Sequence, residues 1–118
     1  MKVWKNESPP MTEPAGHFGG LRTTDIVPFA GRNYAVQMAI VPPGGGGHSH
    51  HHETFDQIFY IVDGQMTFTV GDETFELKTG QSVLLEPMDP HGTLNEGTTD
   101  TTVLVVTVEQ GDKKDAAG

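Results

Sequence analysis

The sequence of 118 residues contains no cysteine, few basic residues and no long apolar run. Without cysteine the chain forms no disulfide bond and offers no thiolate, so any metal ligands must be histidine, carboxylate or amide groups. Seven Lys and Arg against 16 Asp and Glu give a net charge of −9, which argues against nucleic acid or an anionic membrane as partner. No apolar run approaches the roughly 18 residues of a membrane-spanning helix, and the start shows no signal-peptide pattern. These absences predict a soluble, cytoplasmic protein.

Helical periodicity is also missing, and short alternating runs take its place between residues 33 and 108. Seven runs are interpreted as strands: NYAVQMAIV, FDQIFYIV, QMTFTV, ETFEL, QSVLLE, HGTLN and TTVLVVTVE. Asp63-Gly64 predicts a two-residue hairpin, and Gly71-Asp72 and residues 78–80 predict the next turns. Short strands about ten residues apart, joined by such turns, predict an all-β barrel or sandwich.

The chain is predicted to hold one domain with three regions. Residues 1–32 contain four of the eight prolines and are interpreted as an extended arm with the first short strands. Residues 33–110 are predicted to form the barrel, and residues 111–118 a polar tail that frays. Because the arm cannot form a core of its own, we expect it to pack against a second subunit, which predicts a homodimer.

Histidines are concentrated in the stretch GGGGHSHHHETFDQ, residues 44–57. On an alternating strand His50 and His52 point to one face and His51 to the other. Gln57 lies an odd number of residues beyond His52, so it reaches the same face only if a turn or bulge intervenes. A flexible glycine-rich loop or a tag remnant is the alternative interpretation of this stretch.

A second polar face is predicted in the run HGTLN, where His91, Thr93 and Asn95 alternate with Leu94. Polar side chains inside a small barrel need hydrogen-bond partners or a bound ion that they coordinate. A lone histidine such as His91 is otherwise more often structural than a ligand.

The spacing of these residues resembles the cupin family. The first family motif, Gly-X5-His-X-His-X3–4-Glu-X6-Gly, is matched by Gly44, His50, His52, Gln57 and Gly64, with glutamine in place of glutamate. In the second motif, Gly-X5-Pro-X-Gly-X2-His-X3-Asn, the first Gly, the His and the Asn keep register; these are Gly80, His91 and Asn95. The proline and the second glycine of that motif are replaced by Glu86 and Met88. The resemblance covers residues 33–108 and implies a double-stranded β-helix, or jelly-roll, barrel around one metal ion.

The resemblance implies four ligands for one divalent transition metal: His50, His52, Gln57 and His91. Such a set suits Fe, Mn, Ni, Zn, Co or Cu, and the sequence does not choose among them. His48 and His51 are expected outside the ligand set, and His17 is expected at the surface of the arm. Asn95 is expected to have a structural role.

Strand parity predicts four apolar residues of a substrate pocket, with plain core packing as the alternative for each: Met38, Ile40, Phe59 and Ile61. No catalytic residue is identified, because Glu53, Asp56 and Glu86 are near the predicted ligands only in sequence. Arg22 and Arg32 are the only arginines, and a surface ion pair is expected for each rather than a substrate contact.

The resemblance implies a metal-dependent enzyme that acts on a small anionic or enolisable metabolite. Its reaction is predicted to be a dioxygenation or a non-redox isomerase, lyase or cyclase step. Uronate-processing cupins share a three-His, one-Gln ligand set, but the last strand, TTVLVVTVE, offers no Asp or Arg as a polar catalytic partner. A small-molecule binding or sensing protein without turnover is the alternative.

Overall fold

Ten β-strands form the described part of the protein. The computed structural model describes residues 1–5 and 10–110; the predicted frayed tail, 111–118, lies outside them. The strands are β1 His17–Phe18, β2 Arg22–Val27, β3 Tyr34–Val41, β4 Gly46–His50, β5 Phe55–Asp63, β6 Gln65–Val70, β7 Glu73–Lys78, β8 Ser82–Leu85, β9 His91–Leu94 and β10 Thr101–Glu109. They form two five-stranded antiparallel sheets, ordered β1-β4-β9-β6-β7 and β2-β3-β10-β5-β8. The all-β jelly-roll prediction is confirmed.

All seven predicted strands are present, each with bounds within one residue of the prediction. Alternation of apolar and polar side chains was sufficient to find them, because one face of each strand is more buried than the other. The short strands β1 and β2 pair with β4 and β3, so the region before residue 33 contributes to both sheets. Their sequences alternate weakly, which is why their bounds were not predicted.

The two predicted Gly/Asp turns differ in outcome. Gly71-Asp72 joins β6 and β7 in a hairpin, with Val70 paired to Glu73 across it. Asp63-Gly64 was wrong as a hairpin, because β5 and β6 belong to different sheets and the chain crosses between them there. Gly64 has φ +103° at this crossing. Glycine is favoured at such a positive φ both in a hairpin turn and in a crossing between sheets, so the Asp-Gly pair did not distinguish the two.

The core lies between the two sheets and contains these buried apolar residues: Leu21, Ala39, Val41, Ile61, Met66, Phe68, Val103 and Val105. Ile61 and Phe68 are 0% exposed. Asn95 is 1% exposed and closes one end of the core, where its side-chain amide donates to the carbonyls of Val41 and Thr99. These bonds agree with the predicted structural role of Asn95, and they fix the end of β9 relative to β3.

Candidate metal centre

Three histidines come together on the sheet that contains β4 and β9. His50 and His91 are paired residues on these antiparallel strands, after a register shift between Gly47 and His50. His52 follows the end of β4, and the possible ligand atoms of the three side chains lie within 4.8 Å of one another. The ring centroids are 4.5 Å apart for His50 and His91 and 4.8 Å apart for His50 and His52. This spacing allows one ion to contact all three imidazoles.

Backbone carbonyls fix the orientation of two of these rings. Nδ1 of His50 donates to the carbonyl of His48 at 2.8 Å, and Nδ1 of His91 donates to the carbonyl of Asp89 at 3.0 Å. Each ring therefore keeps Nε2 as the nitrogen with a free lone pair, as in metal sites where an outer partner sets the tautomer.

Two of the ring nitrogens are buried without a partner. Nε2 of His52 and Nε2 of His91 make no hydrogen bond within the described residues. Buried polar atoms are rarely left unpaired, so this part of the cavity suits a ligand that accepts lone pairs. A divalent transition metal fits that requirement and the imidazole donor type.

The environment of His52 and His91 favours their neutral forms. Burial lowers the pKa of His52, the neighbouring His50 and His91 lower it further, and the side chain of Gln57 partly opposes the change. Burial also lowers the pKa of His91, while its hydrogen bond to the backbone of Asp89 acts in the other direction. Neutral imidazole is the form that binds metal, so the lowered pKa values of both rings favour coordination.

Gln57 lies on β5 and lines the same cavity as the three histidines. The break between β4 and β5 supplies the turn that its parity required. Its partner on β10 is Thr107, whose Oγ1 accepts a hydrogen bond from Nε2 of Gln57 at 3.2 Å. Because Thr107 engages the amide nitrogen, the amide oxygen is the atom available to a metal. Sequence reasoning missed Thr107, although a threonine after the inward-facing Val103 and Val105 is a visible departure from the apolar pattern.

The cavity beside the histidines has a volume of about 160 Å³. Of the four predicted pocket residues, Phe59 lines it and Ile61 is packed in the core beneath. Met38 and Ile40 do not line it, because β3 turns Gln37, Ala39 and Val41 towards the cavity and the alternate positions outwards. Apolar residues occupy both faces of β3, so alternation alone did not identify the inner one.

His17 also lines the cavity, which corrects the expectation of a surface residue. Its Nδ1 donates to the carbonyl of Ala15 at 3.0 Å, and its ring centroid lies 6.1 Å from that of His50. Its strand partner is Gly47, where an added Cβ would lie only 2.9 Å from Cδ2 of His17. The glycine run thus includes a strand that allows the arm to pack closely, and it is not a flexible linker.

The remaining histidines lie outside the cluster. His48 and His51 are exposed, and the ring of His48 packs against Phe18 with centroids 4.7 Å apart. Neither the two arginines nor the three acidic residues close to the motifs in sequence line the cavity; these are Arg22, Arg32, Glu53, Asp56 and Glu86. Within the described residues no helix is long and apolar enough to span a membrane.

The fold and the histidine cluster define a cupin. Residues 37–107 match the Cupin_2 family, described as a cupin domain, and the chain belongs to that family. A curated relative, the uncharacterized protein MJ1618 of Methanocaldococcus jannaschii, is 33% identical over 69 residues. The match covers 58% of this chain and 55% of the relative, so the chain spans about half the length of that protein.

Two solved structures resemble the protein over nearly all of its length. A predicted oxalate decarboxylase from Thermotoga maritima has a TM-score of 0.81 at 21% identity, covering 92% of this chain and 99% of that chain. KdgF from Halomonas sp. has a TM-score of 0.79 at 18% identity, covering 97% of this chain and 98% of that chain. At these identities the likeness shows a shared fold.

Proposed function

We propose that the protein is a metal-dependent enzyme that acts on a small anionic or enolisable metabolite. The observation that carries this proposal is the pair of buried, unpartnered Nε2 atoms of His52 and His91 beside His50. The proposed ligands of one divalent metal are His50, His52, Gln57 and His91. Iron, manganese, nickel, zinc, cobalt and copper all suit three imidazoles and an amide oxygen.

The proposed ligands are all uncharged, so a divalent ion would keep its full charge and act as a Lewis acid toward an oxygen-rich group of the substrate. The protein supplies the arrangement that makes this useful. Backbone carbonyls hold the rings of His50 and His91, and Thr107 holds the amide of Gln57. Phe59 and the apolar core side chains below it limit access of water to the bound group.

The proposed reaction is either a dioxygenation or a non-redox isomerase, lyase or cyclase step. Metal analysis of untagged protein, followed by oxygen-uptake assays with enolisable diketones and 2-oxo acids, separates the two. Iron with substrate-dependent oxygen uptake supports the dioxygenase; zinc or nickel with substrate conversion and no uptake supports the non-redox enzyme. Conversion of none of these substrates by protein loaded with each metal would count against an enzyme.

A small-molecule binding or sensing protein is the second candidate function. It is favoured by one observation: among the described residues, no Asp, Glu, Lys or Arg lines the cavity. Outside the proposed ligands, His17 is the one titratable lining side chain among the described residues. A site with so few groups for proton transfer suits binding at least as well as general acid–base chemistry. Tight binding of a 2-oxo acid without its conversion would favour this second function.

We also propose that the protein is a homodimer formed through the outer face of the sheet β2-β3-β10-β5-β8. Five large apolar residues on this face are 37–54% exposed: Tyr34, Ile58, Tyr60, Val62 and Leu84. No charged side chain lies at the outward positions of the central strands from Tyr34 to Ile40, from Thr102 to Val108 and from Ile58 to Val62. The charged residues Asp56 and Arg22 lie at the margins of the same face, paired with Val108 and Ile40.

Area and charge both favour a second copy as the occupant of this face. The five large apolar side chains on this face are each 37–54% exposed, which provides apolar area of the kind that a standard interface of about 800 Å² per partner buries. The chain has a net charge of −9, so two copies repel unless they meet through an uncharged surface. The arm is not needed for this contact, since β1 and β2 pair within their own chain.

A further inference from the structure

We infer that the substrate has one oxygen-rich, metal-chelating end and a short apolar body. This inference rests on the proposed function, because it assigns the chelating end to the metal held by the histidine cluster. In addition, it assigns the body of the substrate from the residues that line the rest of the cavity. Molecules with a second carboxylate at the far end are excluded as good ligands.

The lining of the cavity combines a cluster of polar ligand groups with an extended apolar wall. The polar groups are the three clustered histidines and Gln57. The apolar wall draws on both sheets and on the segment before β2; it includes Leu21, Ala39, Val41, Met66, Val103 and Val105. Val103 is 2% exposed and Val105 is 6% exposed, so the part of a ligand that contacts them is removed from water.

The lining lacks charged partners for a second ionic group. The chain contains 7 basic and 16 acidic residues, yet within the described part of the chain none of them lines the cavity. A carboxylate placed against Val103 and Val105 would lose its hydration with no lysine or arginine to compensate, which is strongly unfavourable. An alkyl group at the same place is favourable by the hydrophobic effect.

The uncharged polar lining groups are partly engaged already. Nε2 of Gln37 donates to Oδ1 of Asp25 at 2.9 Å, and Oγ1 of Thr93 accepts a hydrogen bond from the backbone of Gly47 at 3.0 Å. A hydroxyl group of a ligand would have to bond to the polar groups that remain, such as the side chains of Thr23 and His17, and a buried hydroxyl left unpaired costs binding free energy.

The size of the cavity limits the apolar body to a few carbon atoms. Its volume of about 160 Å³ is smaller than the roughly 300–1,000 Å³ of pockets that hold drug-sized ligands. A branched four-carbon or five-carbon chain beyond the chelating group is a reasonable upper limit. The matched pair 4-methyl-2-oxopentanoate and 2-oxoglutarate isolates this feature, since both have the same 2-oxo acid end and differ in the body.

The test is calorimetric titration of zinc-loaded, untagged protein with the two acids, because zinc undergoes no redox reaction. We expect 4-methyl-2-oxopentanoate to bind at least about tenfold more tightly than 2-oxoglutarate. A tenfold difference is the lower end of the range by which an apolar pocket discriminates between ligand groups. Equal affinities, a preference for 2-oxoglutarate, or no binding of either acid would overturn the assignment of the substrate class. Failure of the protein to take up one equivalent of zinc would overturn the metal site as well, which distinguishes the two failures.

Substitution on β10 shows whether the preference arises in the cavity. Val105→Thr places a hydroxyl on the apolar wall with little change of volume and should reduce the ratio of the two affinities several-fold. Val106→Thr is the matched control, because Val106 pairs with Val36 and Ile58 and does not line the cavity. An unchanged ratio in Val105→Thr, or an equal loss in both variants, would contradict the assignment. Thermal unfolding verifies that each variant is folded.

Discussion

His50 and His91 are direct partners across β4 and β9, and their ring centroids lie 4.5 Å apart. The candidate metal centre therefore depends on the register of two strands that are distant in sequence. A slip of one residue would turn either imidazole to the opposite face of the sheet. The register shift between Gly47 and His50 is thus part of the site, and a bound metal would stabilise this pairing in turn.

Removal of one clustered histidine should remove the metal. His91→Ala takes away a buried imidazole with an unpartnered nitrogen, so metal affinity should fall by more than the roughly 10–100-fold that loss of an outer partner costs. His51→Ala is the control, because His51 is exposed and outside the cluster. Elemental analysis and competition with a chelator measure both. Equal losses in the two variants would refute the assignment.

Gln57→Glu should keep the metal and change its chemistry. The carboxylate has the same reach, but it lowers the charge of the centre by one unit and should slow turnover and raise the pKa of metal-bound water. Gln57→Ala should instead weaken metal binding without adding charge. The pH–rate profile and the metal affinity of both variants separate the two roles. A profile and turnover unaltered by Gln57→Glu would show that the neutral ligand has no mechanistic importance.

Thr107 is predicted to position the amide of Gln57. Thr107→Val removes the acceptor of the hydrogen bond from Nε2 of Gln57, so the amide can rotate and metal affinity should fall by about 10–100-fold. Thr102→Val on the same strand is the control, since Thr102 pairs with Ile40 on the outward side. The affinity of zinc for the two variants, measured against a chelator, provides the comparison. Similar affinities would mean that Gln57 needs no support from Thr107.

The stability of metal-free protein should fall as the pH is lowered below about 6.5. His52 and His91 have lowered pKa values in the folded protein, whereas in the unfolded chain they protonate near the ordinary value of 6.5. The unfolded chain therefore binds more protons in this window, and stability decreases from pH 6.5 down to the folded pKa values. Urea unfolding at pH 8, 6.5 and 5 measures the effect. His52→Gln with His91→Gln should flatten this dependence, and an equally steep one in the double variant would assign it to other groups.

The proposed dimer should separate when charge is placed on the outer face of its sheet. Tyr60→Lys puts an ammonium group in the apolar patch, where the twofold pairing of identical surfaces would also bring two charges together. Thr74→Lys on β7 is the control, because it adds the same charge to the other sheet. Sedimentation at micromolar concentration should give a dimer for the wild type and the control and a monomer for Tyr60→Lys. A monomeric wild type would refute the dimer.

Motif spacing and alternation predicted much of the protein, for reasons visible in particular residues. The three histidines meet because the spacing of both motifs is matched to the strand register, as His50 and His91 show. Met38 and Ile40 were assigned to the wrong side because both faces of β3 are apolar. His17 and Thr107 were missed because their importance depends on contacts with Gly47 and Gln57 that no local pattern reveals.

Crystals of untagged protein grown with a single divalent metal test the central claim most directly. Anomalous diffraction above and below the absorption edge of that metal locates each bound ion. We predict one strong peak per chain, about 2.0–2.2 Å from ring nitrogens of His50, His52 and His91, with Oε1 of Gln57 as a fourth ligand. A peak held by His48 or His51, or no peak in the cavity, would contradict the account.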